Sequence, residues 1–232
     1  MNHLSILSGG VGSRMKSDVP KQYIEVCGKP IISWTLGCID FSLFCEAVIV
    51  VSDSFRDFVI DVCKSDFPEQ KFLFAPAGSS RQESILNGLR ALRDYAGPDD
   101  LAVIHDAARP CLSKDLLRRL LSACEGHDGA MPVLPVKDTV YQSDDGSEIS
   151  SLLDRDRLFL GQSPEAFRFG RYLEINEGLE SEELSKVRGS SEIAFRNGMK
   201  IALADGDEAN FKITTPADLE RFAEIQAREA ES

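Results

Sequence analysis

The sequence predicts an α/β protein: a doubly wound, mostly parallel sheet with helices on both faces and a short β-arm protruding from it. Three observations lead there. Short β-branched runs such as Ala47-Val48-Ile49-Val50-Val51 recur along the chain, and a strand that is apolar at every position is one covered on both faces. Each run is followed by a stretch of helical periodicity, and strands alternating with helices through right-handed crossovers form a parallel sheet. The first run, Leu4-Ser5-Ile6-Leu7, breaks directly into Ser8-Gly9-Gly10-Val11-Gly12-Ser13-Arg14-Met15, so a buried strand feeds a glycine-rich loop.

The elements follow in order. Pro30 to Cys38 reads as a helix with proline near its first turn. After the strand at Ala47–Val51, Ser52-Asp53-Ser54 offers caps for a helix to about Cys63. Phe72-Leu73-Phe74-Ala75 is a third strand, and Ser80-x-x-Glu83 is a capping box ahead of a helix from Ser84 to Tyr95. Leu101-Ala102-Val103-Ile104 is a fourth strand. Ser113 caps a helix from Lys114 to about Cys124, and Gly129 to Leu134 is a fifth strand. From Pro135 to Leu153 the chain turns polar and irregular, with Asp145-Gly146 at its middle, which predicts a hairpin between two short strands. Phe167 to about Glu183 reads as helix and Met199 to Leu203 as strand. Thr215-Pro216-Ala217-Asp218 opens a last helix with a capping residue, a first-turn proline and an acid.

Composition narrows the function classes. The 232 residues carry 26 Lys plus Arg against 38 Asp plus Glu, a net charge of −12. Binding to nucleic acid or anionic membranes depends on dense positive charge, so neither is expected, and an anionic ligand must be held by a local cluster of cations. No apolar run approaches the roughly 20 residues of a membrane span, and Met-Asn-His-Leu-Ser-Ile-Leu lacks the features of a signal peptide, so a cytoplasmic protein with a single domain over residues 1–232 is expected. Cys27, Cys38, Cys45, Cys63, Cys111 and Cys124 are scattered without C-x-x-C pairs, which points to plain thiols in a reducing compartment.

Parallel sheets bind ligands beyond the carboxyl ends of their strands. After strand one come Gly9, Gly10, Gly12 and Arg14, then Pro20-Lys21-Gln22, where glycines let backbone N–H groups approach phosphates and two cations balance them. The loop is no Walker A motif, since Ser13-Arg14-Met15 stands where Lys-Ser/Thr would be, and it lacks the third glycine of a dinucleotide fingerprint. After strand four, His105-Asp106-Ala107-Ala108-Arg109-Pro110 sets an acid beside a base: Asp106 suits a divalent cation or a substrate hydroxyl, Arg109 a phosphate. His105 reads as structural. Gly78-Ser79-Ser80-Arg81-Gln82-Glu83-Ser84 could read a base or sugar edge from a helix N-terminus, and Lys212, before the last helix, could reach a phosphate. Arg14, Lys21, Arg109 and Lys212 thus gather from loops at one edge of the sheet.

These motifs, with Asp138-Thr139, Gln162-Ser163-Pro164-Glu165-Ala166-Phe167 and Asn210-Phe211-Lys212-Ile213-Thr214-Thr215-Pro216, resemble in order and spacing the 2-C-methyl-D-erythritol 4-phosphate and ribitol 5-phosphate cytidylyltransferases, from about residue 4 to 222. The resemblance implies a Rossmann-like nucleotidyltransferase sheet and transfer of CMP from CTP to a small polyol phosphate, releasing pyrophosphate with Mg²⁺ present. It implies catalytic roles for Arg14, Lys21 and Lys212, and nucleotide contacts from Leu7, Ser8, Gly9, Gly10, Gly12, Gly78, Ser79, Arg81 and Ser84. It assigns the acceptor to Asp106, Arg109, Thr139, Arg155 and Ser163, and the metal to Asp106. It also implies a homodimer in which an arm at about residues 136–157 is exchanged, carrying Arg155 into the neighbour's acceptor pocket.

Two features bear on the acceptor. Arg188-Gly189-Ser190-Ser191-Glu192 replaces the Thr-Asp-Asp/Glu-Ala-Ser run usual in methylerythritol enzymes, and Gly161-Gln162-Ser163-Pro164 is similar to the ribitol group, whereas Ala108 is typical of the methylerythritol group. The expected acceptor is 2-C-methyl-D-erythritol 4-phosphate, which implies isoprenoid precursor synthesis. The alternatives are D-ribitol 5-phosphate, an inactive nucleotide-binding regulator suggested by the altered run, and an NAD-type oxidoreductase resting on the glycines alone.

Overall fold

The computed structural model describes residues 1–10 and 19–230. Strand β1 (Asn2–Leu7) leads through the glycine loop to a small ribbon, β2 (Glu25–Val26) and β3 (Lys29–Pro30), then to α1 (Ile31–Gly37), β4 (Glu46–Val51), α2 (Arg56–Asp66), β5 (Leu73–Pro76), α3 (Arg81–Leu92), β6 (Leu101–Asp106), α4 (Lys114–Ala123) and β7 (Gly129–Pro135). The arm follows as β8 (Val140–Gln142) and β9 (Ser151–Leu153), paired antiparallel. The chain returns through β10 (Phe159–Gly161), β11 (Glu165–Arg168), α5 (Phe169–Glu177), α6 (Ser181–Lys186), α7 (Ser190–Arg196), β12 (Ile201–Asp205) and α8 (Pro216–Ala230).

β1 pairs in parallel with β4 and β6, and β4 with β5. Val133 of β7 is in register with both Gly161 and Asp205, and Ala130 with both Ala166 and Ala202. A strand has two edges, so β10 and β11 share one edge of β7 and β12 takes the other. β10 and β11 run antiparallel to β7, and β11 antiparallel to β6, which makes them a reversed insertion in an otherwise parallel sheet.

Alternate residues of the central strands face opposite cores. Leu4, Ile6, Ala47, Ile49, Val51 and Val103 pack with α1, α2 and α4 through Leu36, Val59 and Leu117, while Val48, Val50, Ala102 and Ile104 pack with α3 and α5 through Leu89 and Tyr172. A third cluster joins α8 to α1 and the ribbon through Phe222, Ile31 and Val26. No helix among the described residues is long and apolar enough to cross a membrane.

The expected elements form with instructive shifts. α3 begins at Arg81, because the Ser80 hydroxyl already caps it by accepting from the Glu83 N–H at 3.1 Å. Ser52-Asp53-Ser54 opens a 3₁₀ turn, and α2 starts only at Arg56. The helix expected from Phe167 to Glu183 forms as two, α5 and the start of α6, while Phe167 and Arg168 belong to β11. Glu165-Ala166-Phe167 is buried on both sides by its neighbours in the sheet, and that pairing overrides the helical periodicity downstream. Phe167 is fully buried and stacked on Tyr172, ring centroids 4.1 Å apart. Phe167→Ala is therefore expected to cost about 3–5 kcal/mol of stability, read as a lower urea midpoint.

Candidate active site

The parallel strands deliver their carboxyl ends to one edge, and β11, running the other way, delivers its amino end to the same edge, with Glu165 in register with Ile104. The loops after β1, β5, β6 and β12 and the turn into β11 therefore converge. They enclose a cleft of about 350 Å³ lined by Gly9, Gly10, Lys21, Gly78, Ser79 and Ser84 among others, and beside it a second of about 280 Å³ lined by Arg109, Met131, Gly161, Ser163, Glu165 and Arg188 among others. Arg81, Asp106 and Lys212 line both.

The first cleft is built around the start of the glycine loop. Gln22 donates to the carbonyls of Ser8 (2.7 Å) and Gly10 (2.8 Å), and the Tyr23 hydroxyl donates to the Ser8 carbonyl at 2.6 Å. The Pro-Lys-Gln-Tyr run thus clamps the loop and sets Lys21 on the cleft wall. A β-carbon on Gly9 would lie 2.3 Å from that of Ala77, so only glycine allows the loops after β1 and β5 to meet. Ser84 accepts from the Gly78 N–H and donates to the Ser80 carbonyl, each at 3.0 Å. Its hydroxyl shapes the loop and keeps one lone pair for a ligand. Glu83 accepts from the Ser79 N–H at 2.7 Å, tying down the same turn.

The wall between the clefts is a charge cluster. Asp106 Oδ1 accepts from Arg81 Nε and Nη2 at 3.3 and 3.2 Å, Oδ2 accepts from Lys212 Nζ at 2.8 Å, and Arg109 Nε lies 3.8 Å from Oδ2. Burial pushes the Asp106 carboxyl up, but Arg81, Lys212 and Arg109 outweigh it and hold the group well below the usual carboxylate range. Burial likewise works against the charge on Arg81, and Asp106 and Glu165 (3.6 Å) restore it. Lys212 reaches this position because the Ile213 N–H donates to the Ala108 carbonyl at 2.9 Å and Asn210 Nδ2 to the Ser163 carbonyl at 2.7 Å, knitting the loop before α8 to the loop after β6 and to the turn into β11.

His105 lies beneath this wall, fully buried. Its Nδ1 is 3.1 Å from the Ser163 hydroxyl and its Nε2 3.3 Å from the Arg109 carbonyl. A carbonyl only accepts, so Nε2 carries the proton and Nδ1 accepts from Ser163, whose oxygen accepts the Asp106 N–H at 3.0 Å. Burial pulls the His105 pKa down to about 4, so the ring is neutral and structural.

Of the expected site residues, Leu7, Gly9, Gly10, Lys21, Gly78, Ser79, Arg81, Ser84, Asp106, Arg109, Ser163 and Lys212 line one or both clefts. Ser8 is buried behind the loop, and the Ser163 hydroxyl is engaged with His105 and the Asp106 N–H. Thr139 and Arg155 are exposed near the arm and line neither cleft of this chain, with Arg155 Nη1 donating to the Lys137 carbonyl at 2.8 Å. Gly12 and Arg14 lie outside the described residues. For the metal, Asp106 is the expected ligand, yet both its oxygens face cations, and no three His, Cys, Asp or Glu side chains gather at metal-binding spacing among the described residues. Sequence reasoning missed the supports: the Ser190 hydroxyl accepts from Arg81 Nη1, and the Ser191 hydroxyl donates to Glu165 at 2.6 Å. An acid inside the apolar Glu165-Ala166-Phe167 run was the available signal for Glu165.

A family model described as 2-C-methyl-D-erythritol 4-phosphate cytidylyltransferase matches residues 3–228. The chain belongs to that family. Among curated members it is 35% identical over 217 residues to the cytidylyltransferase of Chromobacterium violaceum and 34% over 219 residues to that of Geobacter metallireducens, covering 91–92% of this chain and 92% of each relative. The Francisella tularensis cytidylyltransferase structure superposes with a TM-score of 0.79 at 27% identity, covering 95% of this chain and 97% of that one. The sheet is therefore the Rossmann-like nucleotidyltransferase sheet of this cytidylyltransferase family.

Two outcomes are expected from this geometry. Gln22→Ala leaves the Gly10 carbonyl without its donor and the Ser8 carbonyl with Tyr23 alone, and should raise the KM for CTP about tenfold with little change in unfolding temperature. The second concerns pH. His105 titrates near 4 in the fold against about 6.5 unfolded, so the unfolded chain binds more protons between those values and stability falls as pH drops through that window. Thermal melts of His105→Gln should show a flatter pH dependence there than those of the parent protein.

Proposed function

We propose that this protein transfers CMP from CTP to 2-C-methyl-D-erythritol 4-phosphate and releases pyrophosphate, a step in making isoprenoid precursors. The observation that carries the reading is the pair of adjoining clefts that share the Arg81–Asp106–Lys212 wall, which is what a reaction joining two phosphorylated substrates requires. The relatives named for this acceptor support methylerythritol over ribitol phosphate.

In this reading CTP fills the first cleft. The Gly9 and Gly10 backbone and Lys21 hold its phosphates, together with Arg14 and Gly12 from the loop, and Gly78, Ser79 and Ser84 face ribose and base. The acceptor lies in the second cleft with its phosphate toward Lys212. An acceptor phosphate oxygen attacks the α-phosphorus, an oxygen–phosphorus bond forms, and the bond to the β-phosphate oxygen breaks with its electron pair leaving on pyrophosphate. The attacking phosphate is already largely ionised near neutral pH, so no protein nucleophile is needed. The protein contributes position and positive charge: Lys212, Arg81 and Lys21 meet the charge that spreads over the α-phosphate oxygens.

Mg²⁺ would enter with the triphosphate, held by phosphate oxygens and water, and would neutralise part of that charge. Asp106 would have to release Lys212 or Arg81 to ligate it. The arm supports a homodimer: Tyr141, Ile149 and Leu152 are exposed on it, and Thr139 and Arg155 lie outside this chain's own clefts, where a second copy could receive them. The six cysteines are all free thiols, which suits a cytoplasmic setting.

The test is pyrophosphate release from CTP with each polyol phosphate. Turnover with 2-C-methyl-D-erythritol 4-phosphate at least tenfold above D-ribitol 5-phosphate is expected, and Lys212→Ala should lower kcat about 100-fold with the fold intact. Faster turnover with ribitol phosphate would replace the proposed acceptor, and CTP binding without any turnover would favour a regulator.

A further inference from the structure

The second cleft carries more positive charge than its carboxylates balance. Arg81, Arg109, Arg188 and Lys212 line it against Asp106 and Glu165, an excess of two positive charges in a chain of net charge −12. Three of the four are engaged: Arg81 with Asp106, Glu165 and Ser190, Lys212 with Asp106, and Arg109 with the Asn210 carbonyl at 2.6 Å. The Arg188 guanidinium makes no ion pair or hydrogen bond with any described residue and is exposed. An anion entering this cleft can pair with Arg188 without breaking an existing pair, whereas it must compete with Asp106 for Lys212 or Arg81.

The backbone beneath Arg188 is built rather than loose. Its N–H donates to Glu192 Oε2 at 2.7 Å across the start of α7, and the next residues are pinned by the Ser190 bond from Arg81 and the Ser191 bonds to Glu165. Gly189, extended at φ −153° with open space where a β-carbon would be, keeps the cleft wall bare beside the guanidinium. The same short run therefore holds Arg81 in the shared wall and presents a second arginine to the neighbouring cleft.

We propose that Arg188 is an acceptor-binding residue of this chain, its guanidinium holding the phosphate of the acceptor in the second cleft. This rests on the proposed reaction, but its recognition chemistry, a phosphate anion on a free guanidinium, is testable apart from turnover. The first measurement is steady-state kinetics of Arg188→Gln and Arg188→Lys with 2-C-methyl-D-erythritol 4-phosphate. The expected result for Arg188→Gln is an acceptor KM about tenfold higher, with kcat and the KM for CTP unchanged, and for Arg188→Lys an intermediate acceptor KM. The second is calorimetric titration of inorganic phosphate into the CTP-filled protein, where Arg188→Gln should weaken binding by a similar factor. An unchanged acceptor KM and phosphate affinity in Arg188→Gln would overturn the proposal. So would a joint loss of kcat, CTP affinity and melting temperature, which marks a structural role. Should the parent protein turn over no acceptor, the reaction reading fails while the phosphate titration still decides for or against Arg188.

Discussion

A single buried carboxylate organises this site. Asp106 sits at the carboxyl end of a central strand, and desolvation would drive it toward the neutral acid if it stood alone. It stays charged because cations from three separate parts of the chain reach it: Arg81 from the start of α3, Lys212 from the loop before α8, and Arg109 from its own turn. The dependence is mutual. Removing the carboxylate would leave Arg81 and Lys212 crowded at one wall with no common partner, and like charges at that distance repel. One acid therefore gathers, at a fixed point between two clefts, the positive charge that an overall acidic chain must concentrate to handle triphosphates.

The fold makes that convergence cheap in structure. Parallel strands send their following loops to one edge, and the reversed pair β10–β11 brings the Gln162–Glu165 turn to that edge from the opposite direction. Without the reversal, Ser163 could not support the Asp106 N–H, nor Glu165 face Arg81. Supports then stack outward. Gln22 and Tyr23 hold the glycine loop, Asn210 ties the Lys212 loop to Ser163, and Ser190 and Ser191 lock Arg81 and Glu165. Most of these bonds run from side chain to backbone or between charged groups buried from water, where an unmade bond is costly. The cations that must act on a ligand are thereby held in place before it arrives.

Much of this was legible in the sequence because it rests on local signals. The β-branched run at Ala47–Val51 and the Ser80 and Ser113 caps each name their own element. The cations were legible as loop residues after strands. What could not be read was set by distant partners. β11 reads like the start of a helix because Phe167 and Tyr172 continue an apolar rhythm, and only pairing with β6 and β7 makes it a strand. That both oxygens of Asp106 are already occupied by Arg81 and Lys212 depends on residues 25 and 106 positions away, a juxtaposition no local pattern encodes. For the same reason Ser163 reads as a ligand contact, while in the fold its hydroxyl is committed to His105 and the Asp106 N–H.

The central claim is that Asp106 works chiefly by fixing Lys212 at the shared wall. The most direct measurement is a double-mutant cycle on kcat/KM with Asp106→Asn, Lys212→Gln and the pair. If the carboxylate serves to fix Lys212 at the wall, the double variant should be little worse than Lys212→Gln alone. Losses that multiply in the double variant would show Asp106 acting independently of Lys212, for instance as a metal ligand, and would contradict the account.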